Sequence, residues 1–201
     1  QPMTYKDYII VYNGELYNTE EVRDELKSYG HKFWGHSDTE VILKAYIQWK
    51  DECVNKFNGI FAFAVWDDKE QRLFFARDRI GVKPFFYTVV NNSFIFGSEI
   101  KALLEHQYIE PEIDENSIAE IMFIGPGRTP GYGVFKGISE VKPACCGYYN
   151  KSGIKIRKYW TLKDREHTDS FEQTVEKVRE LVEDSITRQL VSDVPVGTFL
   201  S

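Results

Sequence analysis

The 201-residue chain is poor in cysteine, with Cys53 and the adjacent Cys145-Cys146 as its only thiols. An odd count without a spaced framework excludes a disulfide scaffold, and neighbouring cysteines seldom bridge. The absence of any C-x-x-C pair excludes the usual spacing of a zinc site. Three such thiols point instead to a reducing, cytoplasmic compartment. Positive charge is also short: Lys+Arg 25 against Asp+Glu 31 gives a net charge of −6. That argues against nucleic acid as a partner, since its binders present a basic surface. No apolar run approaches the roughly 20 residues of a membrane-spanning helix, so the chain reads as soluble, with no membrane partner. It lacks an initiator methionine and a charged n-region followed by an apolar stretch. No secretory signal is therefore visible, and the chain is expected to begin inside a longer protein. What it does have is 42% hydrophobic and 15% aromatic residues, enough for a sizeable core and incompatible with overall disorder.

The first half alternates strands and helices at short range. Asp7 to Tyr12 (DYIIVY) reads as a strand. Asn18 has the character of an N-cap, with Glu21 at the third helical position and Val22, Leu26 and Tyr29 on one face up to Gly30. Ser37 opens a second helix, with Glu40 completing a capping box and Val41, Ile42, Ala45, Tyr46 and Trp49 forming its apolar stripe. The period then changes to two. Residues 60–66, 72–77, 84–90 and 93–97 read as four strands of an antiparallel meander, with Asn91-Asn92 as a tight link tolerant of positive φ. These strands are apolar on both faces, so the sheet must be covered on both sides, by a second sheet or by helices.

Further along, a short helix starts at Glu99 and another after Asp114, with Ile113 and Ile118 spaced as a hydrophobic staple. Residues 125–133 (GPGRTPGYG) are a loop, and 145–149 with 154–160 are a last strand pair. The polar stretch Lys163–Asp169 is the best domain boundary. Beyond it Ser170, with Gln173, caps a long helix whose face carries Phe171, Val175, Val178, Leu181, Val182, Ile186 and Leu190. The last residues, 194–201, read as an apolar strand ending where a phosphate-binding loop would begin.

Three places could carry chemistry. At Tyr12–Asn18 (YNGELYN), an Asn-Gly turn at a strand tip would leave a side-chain amide and a free peptide N–H. Two converging donors of that kind make an oxyanion hole, although an ordinary turn explains the residues equally well. Asp38 suits the first turn of a helix on dipole grounds, and it could also grip an ammonium group. His36, beside it, reads as a loop residue. In Arg77–Tyr87 (RDRIGVKPFFY), four charges crowd seven residues between apolar strands, which implies internal ion pairs or an interface.

Together with Gly35–Leu43 (GHSDTEVIL), Phe57–Trp66 (FNGIFAFAVW) and Phe96–Leu103 (FGSEIKAL), these motifs stand in the order and spacing of class II glutamine amidotransferases. The chain resembles the glutamine-hydrolysing asparagine synthetases most, and the resemblance covers its whole length. It implies an α+β fold: a four-layer α/β/β/α N-terminal-nucleophile sandwich of two antiparallel sheets, followed by the start of an α/β synthetase domain. The expected domains are 1–162, an N-terminally truncated glutaminase, and 163–201, the beginning of the ATP-dependent synthetase. Asn13 and Gly14 would match the oxyanion hole, Glu15 would lie beside bound glutamine, and Asp38 would hold its α-ammonium group. Leu200 and Ser201 would open the loop that grips ATP pyrophosphate.

In the family the nucleophile is the cysteine at the mature N-terminus, its own α-amine acting as base, and an arginine in an earlier strand holds the substrate carboxylate. Both are expected upstream of Gln1, because an internal cysteine such as Cys53, Cys145 or Cys146 lacks a free α-amine. The intact enzyme is then expected to hydrolyse glutamine and use the ammonia to convert aspartate, through β-aspartyl-AMP, to asparagine. ATP and Mg2+ would serve that step, with no metal held by this fragment, which alone is expected to be inactive. Homodimerisation stays open. So do two alternatives: another class II amidotransferase, or a non-catalytic relative keeping the fold.

Overall fold

The computed structural model describes residues 1–125, 127–190 and 197. They form β1 (Met3–Tyr5), β2 (Tyr8–Leu16), α1 (Thr19–Ser28), α2 (Asp38–Trp49), a 3-10 helix (Lys50–Lys56), β3 (Gly59–Asp67), β4 (Arg72–Arg77), β5 (Phe86–Val90), β6 (Ser93–Gly97), α3 (Ile100–Leu104), α4 (Glu115–Ile124), β7 (Ser139–Glu140), β8 (Cys145–Asn150), β9 (Gly153–Lys158) and α5 (Phe171–Gln189). The chain divides into two compact units, Gln1–Thr161 and Leu162–Ser201.

In the first unit two antiparallel sheets stack. One has the order β1-β2-β3-β4-β8-β9 and the other β6-β5-β7. Alternation along each strand explains why both faces are apolar. Phe61, Phe63 and Val65 of β3, with Phe74 of β4 and Cys146 of β8, join Val41, Ile42, Ala45 and Tyr46 of α2 in one core. Ala62, Ala64, Phe75 and Cys145 turn the other way, toward Phe85, Tyr87, Phe94 and Phe96, and form the core between the sheets. On the far side of the second sheet, Phe86 and Ile95 pack with Ile100, Leu103 and Leu104 of α3. The four layers are thus helix, sheet, sheet, helix, as expected of the fold class.

The expected single meander is instead two hairpins in different sheets. β3 and β4 pair in the large sheet, β5 and β6 in the small one. The crossing between them is built on Asp78 and Arg77. The Asp78 carboxylate accepts the N–H groups of Phe61, Ile80, Gly81, Val82 and Lys83 at 2.6–3.2 Å. Arg77 donates to the carbonyls of Lys83, Val141 and Gly81 and pairs with Glu140 at 3.0 Å. Two of the four charges of this segment, Arg77 and Asp78, are therefore internal, with one internal ion pair between Arg77 and Glu140, and they turn the chain from one sheet to the other.

The Asn91-Asn92 link does take positive φ at both residues, 49° and 58°, the requirement of a tight hairpin between right-twisted strands. Two caps differ from expectation. Asn18 precedes α1 but bonds Lys56 O and Asn58 N–H across the fold instead of its own helix. Ser37 caps α2 through Thr39 N–H, whereas Glu40 turns away from it toward Trp34, Gly35 and Lys44, so no capping box forms. In each case a longer-range partner outcompetes the local one.

In the second unit, Ser170 and Gln173 cap α5 reciprocally as expected, and the apolar stripe from Phe171 to Leu190 is exposed. The expected strand at 194–201 lies outside the described residues, apart from Gly197. Among the described residues no helix is long and apolar enough to cross a membrane.

Candidate active site

The site is organised by residues 12–16 of β2. The strand does not turn at Asn13-Gly14: Asn13 faces Ala62, Gly14 faces Phe61 and Glu15 faces Ile60 in an unbroken antiparallel ladder to Leu16. This corrects the expected turn. Gly14 is required there because a Cβ would lie 2.7 Å from Phe61 Cα, too close for the two strands to pair.

The ladder also sets where the Gly14 amide points. Phe61 exchanges backbone and side-chain bonds with Asp78, so its polar groups face β4. Its partner Gly14 consequently turns its own N–H away from β3, toward the β1 edge. The even-numbered neighbours on that edge are occupied. Tyr12 exchanges two hydrogen bonds with the Gln1 side-chain amide at 2.6 and 2.7 Å, and the Leu16 N–H donates to Asp38 at 3.3 Å. The Gly14 N–H lies between them, past the end of β1, on an open stretch of edge.

Asp38, at the first position of α2, meets this edge from the helix layer. Its Oδ2 accepts the Tyr12 hydroxyl at 2.8 Å as well as the Leu16 N–H, while nothing among the described residues bonds Oδ1. Burial, and then the Asp38 carboxylate, push the Tyr12 hydroxyl far above the ordinary tyrosine range, so it stays a donor. On the opposite face of β2, Asn13 is exposed and its amide donates to Ser98 Oγ at 3.3 Å. A cleft of about 240 Å³ opens there, lined by Gln1, Asn13, Phe85, Phe96 and Ser98 among others. Glu15 shares the Asn13 side of the strand and is exposed.

The structure thus brings Asn13, Gly14 and Asp38 to one short segment of strand. Tyr12 and Ser98, which orient Asp38 and Asn13, were not singled out as site residues. Ser98 lies in the FGSEIKAL motif, whereas nothing in the sequence distinguishes Tyr12 from the other core aromatics. Leu200 and Ser201 lie outside the described residues.

The three thiols have no place in the site. Burial pushes all three thiols above the ordinary cysteine range, Cys146 to about 12, so none is a ready thiolate. Among the described residues no cluster of His, Cys, Asp and Glu could hold a metal ion.

Residues 1–160 match the glutamine amidotransferase domain model. Over its whole length the chain is 58% identical to asparagine synthetase [glutamine-hydrolyzing] 3 of Bacillus subtilis, covering 33% of that protein. It is 36% identical over 97% of its length to putative asparagine synthetase [glutamine-hydrolyzing] 2 of Methanocaldococcus jannaschii, covering 38% of it. The chain spans about a third of the length of these relatives. Among solved structures, glutamine phosphoribosylpyrophosphate amidotransferase from B. subtilis, complexed with ADP and GMP, matches 82% of the chain and 33% of its own, with a TM-score of 0.55 at 18% identity.

Proposed function

Because the chain belongs to the glutamine amidotransferase domain family, we propose that its first unit is most of a glutaminase, whose ammonia feeds an ATP-dependent synthesis of asparagine from aspartate. The observation that carries this reading is the pairing of an open backbone donor, Gly14 N–H, with a carboxylate, Asp38, whose Oδ1 is unengaged. Glutamine needs both: an anionic acceptor at its α-ammonium end and donors at its amide end.

In this reading the substrate lies along the β2 edge, its ammonium at Asp38 Oδ1 and its side-chain carbonyl toward Gly14 N–H and the Asn13 amide, with Glu15 beside it. A thiolate supplied by the family's N-terminal cysteine attacks that carbonyl. As the C–S bond forms, negative charge builds on oxygen, where the two donors stabilise it. Collapse expels ammonia as the cysteine's α-amine, having taken the thiol proton, passes it to the departing nitrogen, and water then hydrolyses the thioester to glutamate. Asp38, oriented by the Tyr12 hydroxyl, holds the substrate's ammonium group. Aspartate, ATP and Mg2+ act in the remainder of the protein, where Leu200 and Ser201 would begin the pyrophosphate loop. The described residues offer no donor set for the metal, so no step here runs through it. A cytoplasmic setting accords with the free thiols.

The test is Asp38→Ala in the intact protein. Loss of one charge-assisted contact is expected to raise the KM for glutamine about ten- to a hundredfold while sparing synthesis from ammonium. Equal loss of both activities would make Asp38 a helix-start residue only.

A further inference from the structure

The loop at residues 32–36 leads directly into Ser37 and Asp38, and three buried charged side chains from two helices hold its backbone. Arg23 of α1, 4% exposed, donates Nη1 to Gly35 O at 2.8 Å and Nη2 to His36 O at 2.7 Å. Glu40 and Lys44, one turn apart on α2 and fully enclosed, pair at 2.5 Å. Glu40 accepts the N–H groups of Trp34 at 3.2 Å and Gly35 at 3.0 Å, and Lys44 Nζ donates to Lys32 O. The Lys44 ammonium also lies over the rings of Phe33 at 4.4 Å and Trp34 at 4.2 Å, and Arg23 over Phe33 at 4.8 Å.

Stability alone is a weak reason for this arrangement. Burying an ion pair costs desolvation, and an apolar pair in its place is often as stable. The loop's carbonyls and amides could equally be met by water at the surface. What three fixed charges add is a single conformation of the loop, and the residue it delivers is Asp38.

We infer that Arg23, Glu40 and Lys44 are positioning residues of the glutamine site: they fix the loop so that Asp38 presents Oδ1 at one place beside the β2 edge. None of them touches the substrate. They act through Asp38, and the inference rests on reading Asp38 as the ammonium partner.

The experiment is steady-state kinetics of the intact protein, with glutamine and separately with ammonium, for Arg23→Gln, Arg23→Lys, Asp38→Ala and the double variant Arg23→Gln/Asp38→Ala. Arg23→Gln is expected to raise the glutamine KM about tenfold with kcat and ammonium-dependent synthesis unchanged. Arg23→Lys, which keeps the charge and is the variant to use should Arg23→Gln not fold, recovers part of that loss. The double variant is expected to be no worse than Asp38→Ala, because a carboxylate that is gone cannot be misplaced. Additive losses, an unchanged KM in a folded Arg23 variant, or a parallel fall of both activities with the melting temperature would overturn the inference. If Asp38→Ala itself leaves KM unchanged while Arg23→Gln raises it, the reading of Asp38 is what fails, and the clamp acts on some other residue.

Discussion

Tyr12 donates its phenolic proton to Asp38 Oδ2 at 2.8 Å and so ties the strand that carries Asn13 and Gly14 to the helix that carries the carboxylate. Two donors on one oxygen leave the other free and fix its direction. Tyr12→Phe removes one of them without changing the volume of the core. It is expected to raise the glutamine KM of the intact protein about three- to tenfold, with ammonium-dependent synthesis unchanged. An unaltered KM in kinetics with glutamine would show that the Leu16 N–H alone orients Asp38.

Burial is the main cause that lifts the hydroxyls of Tyr12, Tyr46 and Tyr159 far above the usual tyrosine range, and it pushes Tyr148 up to about 12. The folded chain therefore keeps protons that the unfolded chain releases near pH ~10. Stability from these groups is full below that pH and is lost as pH rises beyond it, by up to about 1.4 kcal/mol per pH unit for each. Urea midpoints are expected to hold through pH ~9 and fall between pH ~10 and ~11, with a shallower fall in Tyr46→Phe. A midpoint that does not move across that interval would contradict the burial of these hydroxyls.

Asp78 gathers five backbone N–H groups on one enclosed carboxylate at the crossing between the sheets. Asp78→Ala strands them. The expected loss exceeds about 4 kcal/mol, among the largest a single substitution produces. Chemical denaturation of the purified variant measures it, and a loss below about 1 kcal/mol would mean that water replaces the carboxylate without cost.

Much of the fold was legible because the core is written in alternation. Runs such as IFAFAVW and the LFFA stretch between Arg72 and Arg77 are apolar at every position, which only a sheet covered on both faces can use, and the Asn91-Asn92 hairpin and the Ser170–Gln173 cap are local chemistry that tertiary contacts left alone. What was not legible depends on distant partners. Glu40 fits a capping box by spacing, yet a buried lysine and a loop claim it. Asn13-Gly14 fits a turn, yet β3 lies alongside and continues the ladder. The four strands of the apparent meander split between sheets because Asp78 folds the connection over, and no local pattern encodes that. At the site, the motif pointed to Asn13, Gly14 and Asp38, but the tyrosine and serine that orient them are set by strand parity and by a loop some eighty residues away, Asn13 and Ser98 being 85 positions apart.

The claim on which the account turns is that Asn13 and Gly14 face the charge that develops on the glutamine amide oxygen. The most direct measurement is kcat and KM of Asn13→Ala in the intact protein, with glutamine and with ammonium as nitrogen donors, beside a thermal melt. A donor aimed at the oxyanion acts mainly in the transition state, so kcat with glutamine should fall about 10²–10³-fold. KM, the melt and ammonium-dependent synthesis should be nearly unchanged. A variant that loses melting temperature and both activities together would make Asn13 a structural residue of β2 and contradict the assignment.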